Sequence, residues 1–321
     1  MKAVICTKYG APEVLQLQEV DKPEPKEHEV RIRIRSAVVG PSDCAFRKGD
    51  PFIVKVMYGL SKPKYAIQGT EFAGEIDAVG SRVTKYRPGD RVFGLSVSSF
   101  GCHAEYNCLP EDGLFVPMPD SMPYEDASAL SDGGTTSLTF LRDKARIVRG
   151  QKVLINGASG AVGIYAVQLA KYYGAEVTGV CSTANLDLVR VYGADHVIDY
   201  TQTNFTCHEA MYDVIFDAVG KSSYSRCKRA LKPNGIYMST VPSLSILLSM
   251  GRTSLFKGKR ALFAATGLIQ NRDNLLFLRQ LYEEDRLRPV IDRFYSLEQL
   301  QEAHRYVDTG RKKGNVVINM E

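Results

Sequence analysis

The sequence predicts an α/β protein in which a doubly wound parallel sheet is inserted into a mostly antiparallel, barrel-like β domain. Three observations carry this. From residue 152 short apolar runs alternate with helix-length stretches, whereas residues 1–118 read as short strands and turns. Between the first apolar run of the second half and its first helix stands Asn156-Gly157-Ala158-Ser159-Gly160-Ala161-Val162-Gly163, a stretch almost without side-chain bulk. At 321 residues the chain exceeds the usual single-core size. Two domains are expected, one of residues 1–120 with 286–321 and one of residues 121–285.

In the first half, Val30, Ile32 and Ile34 alternate with Arg31, Arg33 and Arg35, the pattern of a half-buried strand. "EFAGEIDAVG", "DRVFGL" and "HAEYNCLP" are further short strands, punctuated by turn signals such as Pro88-Gly89-Asp90. "VPMPDSMPYED" (116–126), with three prolines, reads as the crossover.

The second half opens with the strand Lys152–Asn156 and the helix 161–173, stopped at Gly174. Strands are then expected at 175–181, 195–199, 212–220, 235–240 and 261–266, with helical stretches near 184–192 and 222–231. Continuous apolar strands separated by helices indicate a parallel sheet covered on both faces. The tail from Arg288 gives a strand, a helix and a strand, and is expected to return to the first domain. Its helix begins with a capping box, Ser296 and Gln299, and ends at Gly310.

The glycine-rich turn has a physical use. Small residues let a ligand approach main-chain N–H groups at a helix N-terminus, which is how a pyrophosphate is held. Here the fingerprint's first glycine is replaced, giving Ala158-x-Gly160-x-x-Gly163. The pattern alone is equally that of a tight packing turn.

Composition narrows the function classes. Net charge is +5, but the cations are spread along the chain, which argues against a nucleic-acid module. The densest basic run, Arg252 to Arg260, reads as a solvated loop. The apolar stretch Ala3–Cys6 is too short for a signal-peptide core, and residues 243–250 are too short to span a bilayer. A cytoplasmic protein without a membrane partner is expected. Seven scattered cysteines without C-x-x-C spacing fit reduced thiols better than a disulfide framework. In "GCHAEYNC", Cys102 and Cys108 would lie roughly 20 Å apart on a strand, too far to share a metal ion.

The ordered motifs "GTEFAGEIDAVG", "PGDRVFG", "HAEY", "GQKVLINGASGAVG", "AVQLAK", "GADHVIDY" and "DAVG" resemble the medium-chain dehydrogenase/reductase superfamily across nearly the whole chain. Within it they most resemble the zinc-free quinone oxidoreductase branch. The resemblance implies a GroES-like catalytic domain split between the chain ends, an inserted Rossmann domain, NAD(P)H bound in the cleft, and a homodimer. The zinc enzymes of the superfamily carry cysteine at the position of Gly40 and Gly-His-Glu where this chain has Gly69-Thr70-Glu71. Losing thiolate and imidazole together removes two of three protein ligands, so no catalytic zinc is expected, and the closely spaced four-cysteine lobe of the superfamily's structural zinc is also absent.

For the cofactor, an NAD-binding domain places an acid at the end of the second strand, about 20 residues after the glycine motif. Here that strand ends in Cys181, followed by Ser182, Thr183, Ala184 and Asn185. An uncharged hydroxyl-bearing turn leaves room for a 2′-phosphate, so NADPH is expected over NADH. Relatives add a tyrosine after the third strand, matched by Tyr200, which also reads as a packed surface tyrosine. The charged anchor they carry in the serine turn is missing, with Arg190 the nearest substitute. The resemblance further assigns Pro41, Thr136, Thr240 and Ala265 to the nicotinamide side and Ser159, Gly160, Ala161 and Val162 to the pyrophosphate turn. It assigns Ala218, Val219 and Gly220 to the adenosine half, and a weakened contact to Asn315, where a lysine is common.

On the substrate side the resemblance implies that Gly40, Asp43, Phe46, Tyr58 and Phe93 line the pocket. Gly40 stands where zinc-free relatives usually have asparagine, and His103 where an aromatic residue is common. Asp43 reads equally as a turn aspartate capping local backbone. No catalytic acid is assigned. The expected activity is hydride transfer from NADPH to a quinone or an α,β-unsaturated carbonyl. The alternatives are an enoyl-thioester reductase gripping phosphates with loop 252–260, an alcohol dehydrogenase-like carbonyl reductase, and a crystallin-like NADPH-binding structural protein.

Overall fold

The structure, a computed structural model, describes residues 1–320. It divides into two compact units, residues 1–132 with 271–283 and 289–321, and residues 133–270 with 284–288.

In the first unit, β1 (Lys2–Cys6) and β2 (Leu15–Glu19) form an antiparallel pair. The long strand β3 (Glu29–Val38) follows, then α1 (Pro41–Lys48) and α2 (Phe52–Tyr58), and then β4 (Glu71–Val79), β5 (Arg91–Leu95), β6 (Tyr106–Pro110) and β7 (Phe115–Pro117). The alternation read in β3 holds: Val30, Ile32 and Ile34 are buried, while Arg31 on the other face pairs with Asp77 at 2.6 Å. Helix α3 (Tyr124–Leu138) carries the chain out of this unit.

The second unit contains β8 (Lys152–Asn156), α4 (Ala161–Tyr172), β9 (Glu176–Cys181), α5 (Leu186–Val191), β10 (His196–Asp199) and β11 (Tyr212–Asp217). After these come α6 (Tyr224–Cys227), β12 (Leu231–Ser239), α7 (Leu244–Ser254) and β13 (Arg260–Phe263). The strands form one parallel sheet in the order β10-β9-β8-β11-β12-β13. Gly174 ends α4 with φ +79°, as its position predicts. The helix expected near 222–231 shrinks to Tyr224–Cys227, because Leu231 already belongs to β12 and is fully buried. Residues 243–250 fall on α7, a helix outside the sequence-based expectations.

The chain then returns to the first unit through α8 (Arg272–Glu283), β14 (Ile291–Ser296), α9 (Leu300–Asp308) and β15 (Asn315–Asn319). β15 pairs antiparallel with β3, giving the order β14-β15-β3-β4-β5-β7, with β6 also on β3. The capping box is present, with the Ser296 amide donating to Gln299 Oε1 at 3.0 Å. Arg47, fully buried on α1, donates to Asp308 at 2.6 Å and fastens the C-terminal helix to this unit. Its core joins Val30, Ile32 and Phe72 to Leu300, Val316 and Ile318 from the tail. Each such side chain contributes roughly 1.5–3 kcal/mol on burial.

The first unit reaches beyond the expected 1–120 and 286–321. Arg91 donates to the carbonyls of Asp120 and Met122, Tyr282 on α8 donates to Asp126, and Arg272 donates to Tyr86. These contacts hold residues 121–132 and 271–283 to the first sheet. Among the described residues, no helix is long and apolar enough to cross a membrane.

Candidate functional site

The order of the parallel sheet reverses between β8 and β11, and ligands of such sheets bind outside the carboxyl ends of the strands at that switch point. The turn after β8 is built there by three glycines with separate duties. Gly157 takes φ +80°, and a Cβ on it would meet Val219 at 2.4 Å. A Cβ on Gly163 would lie 2.0 Å from the Gly157 carbonyl, so α4 can pack on the turn only as it stands. Gly160 is different: with φ −81° and ψ 172° it precedes α4, and a Cβ there would meet only the Gly157 carbonyl, at 3.4 Å. The tight-turn glycine is thus Gly157, one residue before the Ala158 at which the fingerprint looks for it.

The arrangement fits a pyrophosphate. The amides of Ala161 and Val162 open α4 and have no carbonyl one turn back inside the helix to receive them. The side-chain position of Gly160, which precedes these amides, is open apart from the Gly157 carbonyl. Ser159 is buried and its hydroxyl accepts from Asn185 Nδ2 at 3.0 Å, a partner that no local spacing points to.

At the end of β9, Cys181 is buried, and burial above all pushes its thiol up to about 11. Ser182 starts a short turn in which Thr183 donates to Asp199 at 2.5 Å. Thr201 donates to the same carboxylate through its amide at 2.9 Å and its hydroxyl at 2.7 Å. These hydrogen bonds, Thr183's first, hold the Asp199 carboxyl below the usual range. An acid therefore does stand beside the end of β9, supplied by the neighbouring strand, where inspection of β9 alone misses it. Tyr200 is exposed and its amide donates to the Cys181 carbonyl at 3.1 Å, which sets its ring at this edge. Arg190 is ion-paired with Asp187 at 2.9 Å.

The residues assigned beyond β11 and β12 are brought together. The Thr240 hydroxyl donates to the Ala218 carbonyl at 3.2 Å, Val219 rests against Gly157, and Gly220 turns with φ +63°. Thr136 is buried and donates to Thr266 at 3.1 Å, next to the exposed Ala265.

In the first unit, Pro41 is exposed at the start of α1. Asp43 accepts the Gly40 amide at 2.7 Å and is itself almost fully buried. It caps the first turn of α1, the local role its position also suggested. Phe93 is fully buried on β5, paired between Ala73 and Val116. Phe46 and Tyr58 do meet, with ring centroids 4.9 Å apart, and Phe100 joins both, at 4.8 and 5.3 Å. Tyr65 extends the cluster through Phe100 at 5.1 Å. Neither Phe100 nor Tyr65 carries a motif that would have found it.

Asn315 opens β15. Its side chain donates to the Val290 carbonyl at 3.2 Å and is buried, holding β15 beside the start of β14. The cation of this region is Lys312, whose burial pushes its ammonium down to about 8, opposed by the carboxylates of Glu71 and Asp292. Glu71 accepts the Asp132 amide at 2.9 Å, and burial holds its carboxyl well above the usual range.

The donor set where the superfamily's zinc enzymes hold their metal does not fit zinc. Gly40 has no side-chain donor, Thr70 offers a hydroxyl, and Glu71 is left as a single carboxylate. Among the described residues no group of three or more His, Cys, Asp or Glu is placed to hold a metal ion. Cys102 and His103 lie outside β6 in an irregular segment, not on the strand expected. His103 is buried, and its Nε2 lies 3.1 Å from the Val38 carbonyl, which can only accept, so Nε2 carries the proton.

The geometry agrees with known proteins. A family model described as an alcohol dehydrogenase GroES-like domain matches residues 26–120, and one described as a zinc-binding dehydrogenase matches residues 192–318. The chain is 30% identical to a quinone oxidoreductase of Pseudomonas aeruginosa, covering 99% of each protein. It is 31% identical to the 2-methylene-furan-3-one reductase of Solanum lycopersicum, covering 99% of this chain and 79% of that protein. The structure of the quinone oxidoreductase from Coxiella burnetii superimposes with a TM-score of 0.90 at 28% identity, covering 100% of this chain and 99% of the other. The chain thus belongs to the medium-chain dehydrogenase/reductase superfamily, in its quinone oxidoreductase-like branch, and is an oxidoreductase of that type.

Proposed function

We propose that the protein is an NADPH-dependent, zinc-independent reductase that passes hydride to a quinone or to the β-carbon of an α,β-unsaturated carbonyl. The observation that carries this is the open side-chain position at Gly160, the residue that precedes the first amides of α4 at the switch point. The bound cofactor supplies the hydride from C4 of its nicotinamide. The chain's own part is to hold and orient. Ala161 and Val162 offer amides to the pyrophosphate, and the Ser182 hydroxyl with the exposed Tyr200 ring lines the edge where a 2′-phosphate would lie, beside the Asp199 carboxylate. The preference for NADPH rests on the turn Ser182–Asn185, which carries no acid of its own; the Asp199 carboxylate, held by Thr183 and Thr201, is the charge that opposes it.

The aromatic group of Phe46, Tyr58, Tyr65 and Phe100 suits a flat, conjugated acceptor. Gly40 and Thr70 support a reaction without metal polarisation of the carbonyl, so the acceptor must be electrophilic already and catalysis rests on proximity and orientation. The relatives' names, one a quinone oxidoreductase and one a furanone reductase, favour the same acceptor class. No side chain is assigned as the acid, and solvent delivers the proton.

The test is a fluorescence titration with NADPH and NADH, followed by turnover of a small panel of quinones and enones. Tighter NADPH binding with turnover is expected, and equal or reversed affinities would overturn the cofactor choice. Bound NADPH without turnover of any acceptor would instead indicate a structural, crystallin-like role. Metal analysis of protein purified without chelator should find well under one zinc per chain, and stoichiometric zinc would overturn the zinc-independent reading.

A further inference from the structure

Asp217, at the carboxyl end of β11, is fully buried and accepts hydrogen bonds from four donors. Its Oδ1 receives Asn156 Nδ2 at 2.9 Å and the Val219 amide at 3.3 Å. Its Oδ2 receives the Ser222 amide at 2.7 Å and the Tyr237 hydroxyl at 3.0 Å. Every one of these partners is a donor. Only a carboxylate satisfies all four, because an amide in its place would turn an NH₂ group against at least one N–H.

The partners matter more than their number. Asn156 is the last residue of β8 and leads directly into the glycine turn, so its bond to Asp217 spans the switch point of the sheet. Val219 and Ser222 belong to the loop after β11, and their two amides fold that loop back over the carboxylate. Val219 is the side chain nested against Gly157. Backbone bonds extend the junction: the Ala218 amide donates to the Asn156 carbonyl at 3.0 Å, and the Thr240 amide to the Asp217 carbonyl at 3.2 Å.

We propose that Asp217 is a positioning residue that sets the spacing between the two walls of the dinucleotide site, the glycine turn after β8 and the loop 218–222 after β11. The inference rests on the reading of this site as a dinucleotide site. It goes beyond that reading by making the cofactor's fit depend on a buried group that never touches it. Ordinary core packing would make Asp217 matter for stability alone. Positioning requires that a folded variant bind the cofactor poorly, and that restoring the hydrogen-bond polarity restore the binding.

The experiment compares Asp217→Asn with the exchange Asn156→Asp/Asp217→Asn in NADPH titrations, with circular dichroism and thermal melts beside them. In the exchange the amide nitrogen introduced at position 217 faces the new carboxylate at position 156. The amide oxygen at position 217 faces Ser222 and Tyr237, and one buried carboxylate is retained. Only the Val219 amide, at the longest distance, stays mismatched. The single variant should be folded and bind NADPH on the order of tenfold more weakly, as loss of one charge-assisted hydrogen bond implies, and the exchange should recover most of that. A folded Asp217→Asn with wild-type affinity would overturn the inference, as would an exchange that recovers nothing. If Asp217→Asn does not fold, Asn156→Ala cuts only the link to the glycine turn, and unchanged affinity in that variant would overturn it equally. Wild-type protein that binds neither NADPH nor NADH would overturn the proposed function and this inference together. A binding wild type beside variants of equal affinity would overturn this inference alone.

Discussion

The Gly40 amide donates to Asp43 at 2.7 Å across the first turn of α1, while the second carboxylate oxygen of Asp43 is buried without a hydrogen-bond partner among the described residues. Burial pushes this carboxyl up to about 7. Its folded value lies above its unfolded one, so the group favours folding below about pH 4, and that contribution is lost as pH rises through 7. The cost above neutrality is as much as roughly 4 kcal/mol. Asp43→Asn keeps an acceptor for the Gly40 amide and removes the charge. It should stabilise the protein at pH 8 and give progressively less benefit towards pH 4. Denaturant melts across that range check it, and a pH-independent difference would refute the burial account.

His103 runs the other way. Burial holds its imidazole down to about 4, so the unfolded chain binds a proton between about pH 6.5 and 4 that the folded chain refuses. Its contribution is present above pH 6.5 and lost on acidification, with roughly 3 kcal/mol at stake. His103→Gln retains a donor for the Val38 carbonyl. Its stability should fall less steeply between pH 6.5 and 4.5 than the wild type's. The slope is the readout, since the substitution also changes packing against Gly69.

Much of this fold is legible in the sequence because periodicity reports burial directly. β3 shows it by alternation, β8 by an unbroken apolar run, and α9 by its cap and terminal glycine. Helices α2 and α7 escape such reading for a physical reason. Phe52, Val56 and Met57 on α2, and Leu244 and Leu248 on α7, are apolar yet exposed, so the usual link between hydrophobicity and an inward face fails there. The site divides similarly. Gly160 and Gly163 follow from local spacing, but Asp199 beside Cys181 and Lys312 near Glu71 are products of strand pairing and chain return. Local spacing contains neither.

The exposed face of α7 and the free edge of β13 bear on assembly. β13 ends the parallel sheet with one side unpaired among the described strands, and Leu244, Leu248, Leu255 and Phe256 beside it are each at least 65% exposed. An open edge next to an apolar face suits a second copy of the same chain. Light scattering after size-exclusion chromatography should give a dimer. The double substitution Leu244→Glu/Leu248→Glu should yield a folded monomer. A monomeric wild type, or a double variant that stays dimeric, would exclude this surface as the interface.

The glycine turn makes two opposite predictions from neighbouring residues. Gly160 has φ −81° and ψ 172°, a conformation valine adopts readily, and a Cβ there touches only the Gly157 carbonyl, at 3.4 Å. Gly160→Val should therefore fold with nearly wild-type stability, while its methyl groups occupy the volume before α4 and abolish NADPH binding. Gly163 has no such freedom, since a Cβ would stand 2.0 Å from a backbone oxygen that the turn cannot move without unfolding. Gly163→Ala should cost several kcal/mol by overpacking and lower the melting temperature sharply. Circular dichroism melts and NADPH titrations on both variants separate the two roles. Wild-type affinity in a folded Gly160→Val would mean that the open volume is not where the pyrophosphate lies, and the stretch would be a packing turn alone.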